Sequence, residues 1–325
     1  MPRFVRGLAA ALAVVLPACT AAAQEFPSRN VTMIVPFAAG GAGDILARTL
    51  GPKLEPKWGK SLIVENKPGA GGVIGAVATA KAEPDGHTLM IAPSATMAVN
   101  VSLFKSLPYD PVADFVPLAL AAQTPFVLVV NPELPVRSVA DLIKYAKEKD
   151  GQLSYATSGP GVPHHLFAEL LKSMTGIKMS PVAYRGSLPA LNDVVAGHIP
   201  LMFVDLGPSL GIIRAGKVRP LGISTRTRFE GLPDVPPLAE VGVPGFDAAS
   251  WQMIVAPAKT PKSTVDRLHA DLNAALQDSE TKAQILRVGM LPVATNSVEQ
   301  LKAFVTSEIA RWRKVVAQAG LTGSQ

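Results

Sequence analysis

Short apolar runs rich in valine and isoleucine alternate along the chain with stretches whose apolar residues recur at helical spacing. Val31–Val35 predicts a first strand and residues 44–60 a first helix. Ile45, Leu46, Thr49 and Leu50 form that helix's apolar face, and Pro52 and Pro56 limit its regular length. "SLIVEN" predicts a second strand, followed by a glycine loop and a small-residue helix from Val73 to Ala82; residues 85–92 predict a turn and a third strand. A strand running into a proline-bounded loop is expected at 124–136, and a helix at 138–151 with Ser138 as N-cap, Asp141 in its first turn and Gly151 as its stop. The order strand, glycine loop, helix returns after Ser154, and a further helix near Leu188–Ala196 leads to a strand at Leu201–Val204 and another in "VRPLGIST". The proline-rich stretch 229–247 is expected to be a long surface connection. After a strand in "WQMIVAP", two amphipathic helices close the chain, the first with Val265, Leu268, Leu272, Ala275 and Leu276 on one face, the second from about Ser297 to Ala319.

This alternation predicts an α/β architecture in two units of similar grammar followed by a mostly helical return. If the closing helices pack on the first unit, the chain crosses between lobes twice, near Gln123–Thr124 and near Phe246–Ser250. Lobe 1 is then 24–123 with 248–325, and lobe 2 is 124–247. Two crossovers define a cleft that closes by a hinge.

The first 23 residues follow a different pattern. Arg3 and Arg6 precede an apolar run from Leu8 to Pro17, and Ala21-Ala22-Ala23 offers a cleavage site. This predicts a secretory signal peptide and a periplasmic location. Its removal takes two of the six net positive charges, and the remainder attracts anions without the clustered Lys/Arg and aromatics of a nucleic-acid surface. Lys144, Lys147 and Lys149, interspersed with Asp141, Glu148 and Asp150, form a solvated helix face. The one cysteine, Cys19, lies in the leader, so a mature chain lacks disulfide and thiol chemistry. "LPAC" at 16–19 loosely resembles a lipidation signal, which would instead tether the protein at Cys19.

Three glycine loops lie at strand–helix junctions: Phe37–Asp44, Lys67–Gly72 and Thr157–Val162. The first amides of a helix lack intrahelical acceptors, and glycine lets an anion approach them. Phosphate fits poorly, because no loop has the P-loop lysine and hydroxyl, and Asp44 after Gly43 would repel it. The glycine spacing at 69–75 is one residue off the dinucleotide fingerprint. A carboxylate fits better, needing a few donors and no metal. Ser94, Thr96, Thr157 and Ser158 add hydroxyls at strand ends and Asn66 an amide donor. Asp44 is expected as a first-turn or N-cap acid turned from the ligand.

Catalytic constellations are sparse. G-x-S-x-G and H-E-x-x-H are absent. His164 and His165 are expected on different helix faces, and His87 and His198 read as structural or surface histidines. Ser158 has no evident paired base in the sequence. Asp205, at a strand end, reads either as a loop cap or as a ligand contact. A binding protein without cofactor or metal, rather than an enzyme, is the expectation.

Seven blocks carry a more specific signal: "VPFAAGGAGDILAR", "VENKPGAGGVIGA", "SYATSGPGVPHHLFAELL", "VAYRGSLPALNDVVAGHI", "IRAGKVRPLGIST", "LPDVPPLAEVGVPGF" and "WQMIVAPAKTPKSTVDRLHADL". In order and rough spacing, across about residues 27–318, the chain resembles the Bug (TctC-like) periplasmic receptors of tripartite tricarboxylate transporters. The resemblance implies a two-lobed type II periplasmic-binding-protein fold, two α/β lobes joined by two crossovers. It also implies a small-carboxylate ligand held between two loops through backbone groups, hydroxyls and water. Phe37, Ala38, Gly40 and Gly41 would form the first jaw, and Ser158, Gly159, Gly161, Val162 and His165 the second. Tyr184, Arg185 and Gly186 correspond to a block near the cleft, Ser94 and Thr96 to the loop after the third strand, and Asp205 to a contact with the ligand's far end. The family often has prolines where this chain has Ala38-Ala39, and Ser or Thr where it has Val162. The expected partners are a small organic carboxylate and the membrane subunits of such a transporter, with the chain a monomer; a solute sensor serving a signalling receptor would use the same cleft. An amino-acid ligand would want Asp205 to face its ammonium and an aromatic one Phe or Trp walls; Phe37 is placed for such a wall and Trp251 lies close to a proposed crossover, while each also reads as a packing residue.

Overall fold

The computed structural model describes residues 26–325; the expected leader with Cys19 lies outside the described residues. The strands are β1 (Val31–Val35), β2 (Leu62–Asn66), β3 (Thr88–Pro93), β4 (Phe115–Val130), β5 (Ser154–Thr157), β6 (Ser180–Ala183), β7 (Leu201–Asp205), β8 (Arg219–Ile223), β9 (Ala249–Pro257) and β10 (Leu291–Pro292). The helices are α1 (Ala42–Trp58), α2 (Val73–Ala80), α3 (Asn100–Leu103), α4 (Val139–Lys149), α5 (Pro163–Thr175), α6 (Ser187–Val195), α7 (Leu206–Arg214), α8 (Lys262–Gln277), α9 (Ser279–Arg287) and α10 (Val298–Gln318). A π-helical turn, Ala95–Val99, leads into α3.

The strand order β2-β1-β3-β9-β4-β7-β5-β6 makes a two-lobed α/β fold around one long strand. β1, β2 and β3 run parallel, as do β5, β6 and β7. β4 serves both halves: residues 115–125 pair antiparallel with β9, while residues 126–130 pair with β7 and β8. Gln123, Thr124 and Pro125 lie opposite Trp251, Ser250 and Ala249, so the two segments expected to carry the chain between lobes are hydrogen-bonded neighbours. Ser224 ties them together, its hydroxyl donating to the Ala248 carbonyl at 2.6 Å and accepting from the Phe126 amide at 2.9 Å.

Four expectations are corrected. α1 passes through both prolines to Trp58, where Gly59 ends it in the left-handed region. Leu46, Leu50, Leu54 and Trp58 are buried along it. At about 1.5–3 kcal/mol for each large apolar side chain, that face offsets the roughly 3 kcal/mol cost of each interior proline. β4 begins at Phe115, nine residues before the expected start, because Leu118, Ala119, Ala121 and Ala122 are buried in the first lobe's core. The stretch 229–247 is no mere surface connection: Phe229, Leu232, Val235, Leu238, Val243 and Phe246 are buried. A third closing helix, α9, stands between the two expected, capped by the Asp278 carboxylate.

α10 anchors the crossover. Glu308, buried on it, accepts from the indole nitrogens of Trp251 and Trp312, each at 2.9 Å. Arg311 bonds the Asp247 carbonyl. Trp312 also stacks on Phe167 of α5, with centroids 5.6 Å apart and planes 14° from parallel. The second lobe's α5, which begins at the glycine loop, is thereby packed against the closing helix.

Candidate ligand-binding site

The chain leaves β1 at Val35 and enters α1 at Ala42, with Gly41 at the N-cap in extended backbone and no side-chain cap. Asp44, in the first turn, supplies the missing acceptor. Its Oδ2 takes the Gly40 amide at 2.9 Å and Arg48 Nε at 3.1 Å, and its Oδ1 takes Arg48 Nη2 at 3.0 Å. Arg48, with help from the Gly40 amide and Asn66, holds the Asp44 carboxyl below its ordinary range against the opposing effect of burial. Asp44 therefore braces the loop from within, and the Gly40 amide is committed to it. Asn66 Nδ2 donates to the Phe37 carbonyl at 3.1 Å and fixes the loop's outer limb. The amides of Gly41 and Ala42 have no acceptor among the described residues. Gln252, buried on β9, brings its side-chain oxygen beside Gly43, a polar group that sequence reasoning did not single out.

Phe37 is 42% exposed, with its ring over Gly72. Thr96 Oγ1 lies beside the same face of Gly72; it is fully buried and has no partner among the described residues. Ser94 is buried 3.2 Å from the Ser250 hydroxyl at the crossover.

The second loop leaves β5 at Thr157 and enters α5 at Pro163, which sits in the first turn where its missing N–H costs nothing. Thr157 Oγ1 donates to the Gly159 carbonyl at 2.9 Å and tightens the turn. Ser158 Oγ lies 2.9 Å from His164 Nδ1, and His164 Nε2 lies 3.0 Å from Asp205 Oδ1. The expectation that Ser158 lacks a paired base is thus corrected: a histidine six residues on folds back to it. The ring nitrogens are used in the opposite order to a hydrolase triad, where serine meets Nε2 and aspartate Nδ1. Asp205 occupies the N-cap position of α7, yet its carboxylate makes no cap and turns to His164 instead. Burial raises the Asp205 pKa, but His164 and the Ser187 hydroxyl outweigh it and hold the carboxyl below its ordinary value. Phe126 packs edge-on against the His164 ring at 5.0 Å.

His165 points elsewhere, its Nδ1 accepting from the Gly161 amide at 3.2 Å. Burial lowers its pKa, so the neutral ring that can accept this bond is favoured. Behind it the Glu169 carboxylate takes the Tyr155 hydroxyl at 2.6 Å and Lys172 at 2.8 Å. Gly161 has φ +72°, and a Cβ there would lie 2.5 Å from Leu103 Cδ1. Leu103 follows Thr96 by two helical turns, so one short segment touches the Gly72–Phe37 side and the second loop.

The structure therefore joins Ser158 to Asp205 through His164, and pairs Gly161 with His165 in a separate bond. Val162 is the α5 N-cap, with no side chain to cap it, and Gly159 is open on its Cα face. Ala38 is exposed at the tip of the first loop. Tyr184 stands apart in its bonding, its hydroxyl 2.7 Å from Asp193 and its pKa pushed up to about 12 by burial and by that carboxylate. Its amide donates to the Thr157 carbonyl and so carries the loop after β6 alongside the loop after β5. Arg185, next to it, is exposed and meets no carboxylate among the described residues. His164 is the residue sequence reasoning passed over; the available signal was a histidine pair in the first turn of a helix that a Ser-Gly loop opens. A cavity of about 670 Å³ opens elsewhere, between Phe104, Leu107, Tyr109 and Ile309, Arg313 of α10.

The sequence profile of the tripartite tricarboxylate transporter family receptors matches residues 46–321. The chain belongs to that family. Members of the family are solute receptors, not enzymes. BugT of Bordetella pertussis is 36% identical over 304 residues, covering 93% of each chain. Among solved receptors, Rpa4515 of R. palustris with adipate superposes with a TM-score of 0.79 at 38% identity, covering 92% of this chain and 99% of that one. MatC of Rhodopseudomonas palustris with bound malate gives 0.75 at 33%, covering 90% and 100%. The two-lobed α/β fold expected from the sequence is the fold of these receptors.

Proposed function

We propose that this receptor captures a small organic carboxylate between the loop at residues 37–43 and the loop at 158–165, and delivers it to the membrane subunits of a tripartite tricarboxylate-type transporter. The observation that carries the reading is the second jaw: a serine hydroxyl held in place by His164 and Asp205 at the mouth of a helix whose glycine turn abuts the first lobe. The first jaw complements it with uncommitted amides at the α1 N-terminus and an orphaned Thr96 hydroxyl. Relatives that hold adipate and malate support a carboxylate as the ligand class. Phe37 would cover the ligand's apolar body, and the exposed Arg185 would supply a cation at the rim.

On this reading the lobes divide at 123 and 248, and the paired strands β4 and β9 are the hinge. The chain is exported through its leader and acts as a monomer in the periplasm. The test is native mass spectrometry of the purified protein, alone and with adipate or malate. One intact acid per chain supports the reading; a bound nucleotide, a metal or a chemically altered product contradicts it.

A further inference from the structure

The Ser158–His164–Asp205 relay has a polarity, and it bears on what Ser158 can offer a ligand. A carboxylate has no hydrogen to give, so Asp205 can only accept. The bond at 3.0 Å therefore puts a hydrogen on His164 Nε2. In the neutral ring Nδ1 is then bare, and the 2.9 Å contact with Ser158 makes the serine the donor. In that state the hydroxyl hydrogen is spent on His164, and Ser158 shows only lone pairs to the cleft. Lone pairs repel a carboxylate. When the ring carries both protons the contact reverses: Nδ1–H donates to Ser158 Oγ, and the hydroxyl hydrogen swings free to donate outward.

We infer that His164 sets the hydrogen-bond polarity of Ser158, so that the receptor takes its ligand as an anion together with one proton, held on His164 Nδ1. This rests on the reading of the cleft as a carboxylate site. The proton comes from solvent, enters the imidazole and leaves with the ligand; the imidazolium is balanced by Asp205 on one side and the bound anion beyond Ser158 on the other. Three elements face the ring, and a fourth faces its partner Asp205. β7 presents Asp205, β4 presents the apolar Phe126 ring, the loop presents Ser158, and α6 presents Ser187 to Asp205. His165, next on α5, is turned to the Gly161 amide and Glu169. His164 is thus a specificity-determining residue. Its neutral form suits a hydrogen-bond donor in the ligand, such as an amide or a hydroxyl, and its charged form suits a carboxylate.

The test is calorimetric titration of the wild-type protein with adipate and malate in two buffers of different ionisation enthalpy, from about pH 6.5 to about pH 8.5, where both acids are already dianions. The heat difference between buffers gives the protons taken up per ligand. The proposal expects uptake approaching one proton per ligand as pH rises, with affinity falling towards about tenfold per pH unit. His164→Asn, which cannot titrate, is expected to bind with a flat pH profile and no uptake. Saturable binding of either acid with no proton uptake by the wild type overturns the assignment to His164 and leaves the carboxylate reading standing. So does uptake that persists in His164→Asn. Failure of both acids, and of a wider panel of mono-, di- and tricarboxylates, to bind at any of these pH values overturns the carboxylate reading and this inference with it.

Discussion

Asp205 and His164 meet at 3.0 Å on the side of the imidazole away from Ser158, so a residue at the end of β7 orients a ring in the first turn of α5. The carboxylate is partly shielded from water and held below its ordinary pKa, which keeps it an acceptor at neutral pH. Asp205→Asn keeps the shape and removes the charge. A charge-assisted bond exceeds a neutral one by about 1 kcal/mol, so carboxylate affinity is expected to fall about five- to tenfold with little change in unfolding midpoint. Calorimetry and urea denaturation on the same preparation check both halves; unchanged affinity would place Asp205 outside the site.

Gly161, in the loop ahead of α5, lies against Leu103 of α3. Alanine there adopts a left-handed conformation at roughly 1–2 kcal/mol and drives a methyl into Leu103. Gly161→Ala is expected to lower the unfolding midpoint and weaken ligand binding together. Adding Leu103→Ala should restore part of the binding by removing the clash, while the backbone cost remains. A Gly161→Ala protein that binds as tightly as wild type would show that this contact is not made in the ligand-bound state.

Glu308 carries two buried indole donors on one oxygen. Glu308→Ala leaves both without an acceptor, at about 1–3 kcal/mol each, and is expected to lower stability by roughly 2–5 kcal/mol in urea denaturation. Glu308→Gln retains an acceptor and should lose less than half as much. Equal losses in the two variants would mean that packing, not hydrogen bonding, holds α10 to the crossover.

Stability should also depend on pH through His165. Its folded-state pKa is depressed below the ordinary 6.5 by burial, so below about that pH the unfolded chain takes up a proton that the folded chain refuses. The stabilisation is complete above about pH 6.5 and is lost as pH falls towards the folded-state pKa. His165→Asn should flatten this slope relative to wild type when unfolding midpoints are compared from about pH 7.5 down to about pH 5. A wild-type slope of the opposite sign in this window contradicts the assigned bond from the Gly161 amide.

The parts of the site legible in the sequence were those written in local composition. Phe37–Asp44 and Thr157–Val162 are glycine-rich between a strand-like run and a helical period, and that grammar is enough to place a loop at a strand's carboxyl end. Asp44 could be assigned to the first helical turn because an acid there offsets the helix dipole whatever lies around it. The relay could not be seen, since Asp205 lies 41 residues from His164 and only the adjacency of β7 and β5 brings them together. The early start of β4 was hidden for a related reason: a central strand buried on both faces shows no alternation, and Pro117 reads as a breaker although β9 accommodates it with a register shift. α1 overrode its two prolines because burial of Leu50, Leu54 and Trp58 is a tertiary effect that local propensity does not contain.

The two-loop carboxylate site is tested by a crystal structure of the protein with adipate, or with the acid of highest affinity from the calorimetric panel. One carboxylate group is expected between residues 37–43 and 158–165, within hydrogen-bonding distance of the Ser158 hydroxyl and the first-turn amides of α1. A carboxylate found instead in the 670 Å³ cavity between Phe104 and Arg313, with the two glycine loops empty, would contradict it.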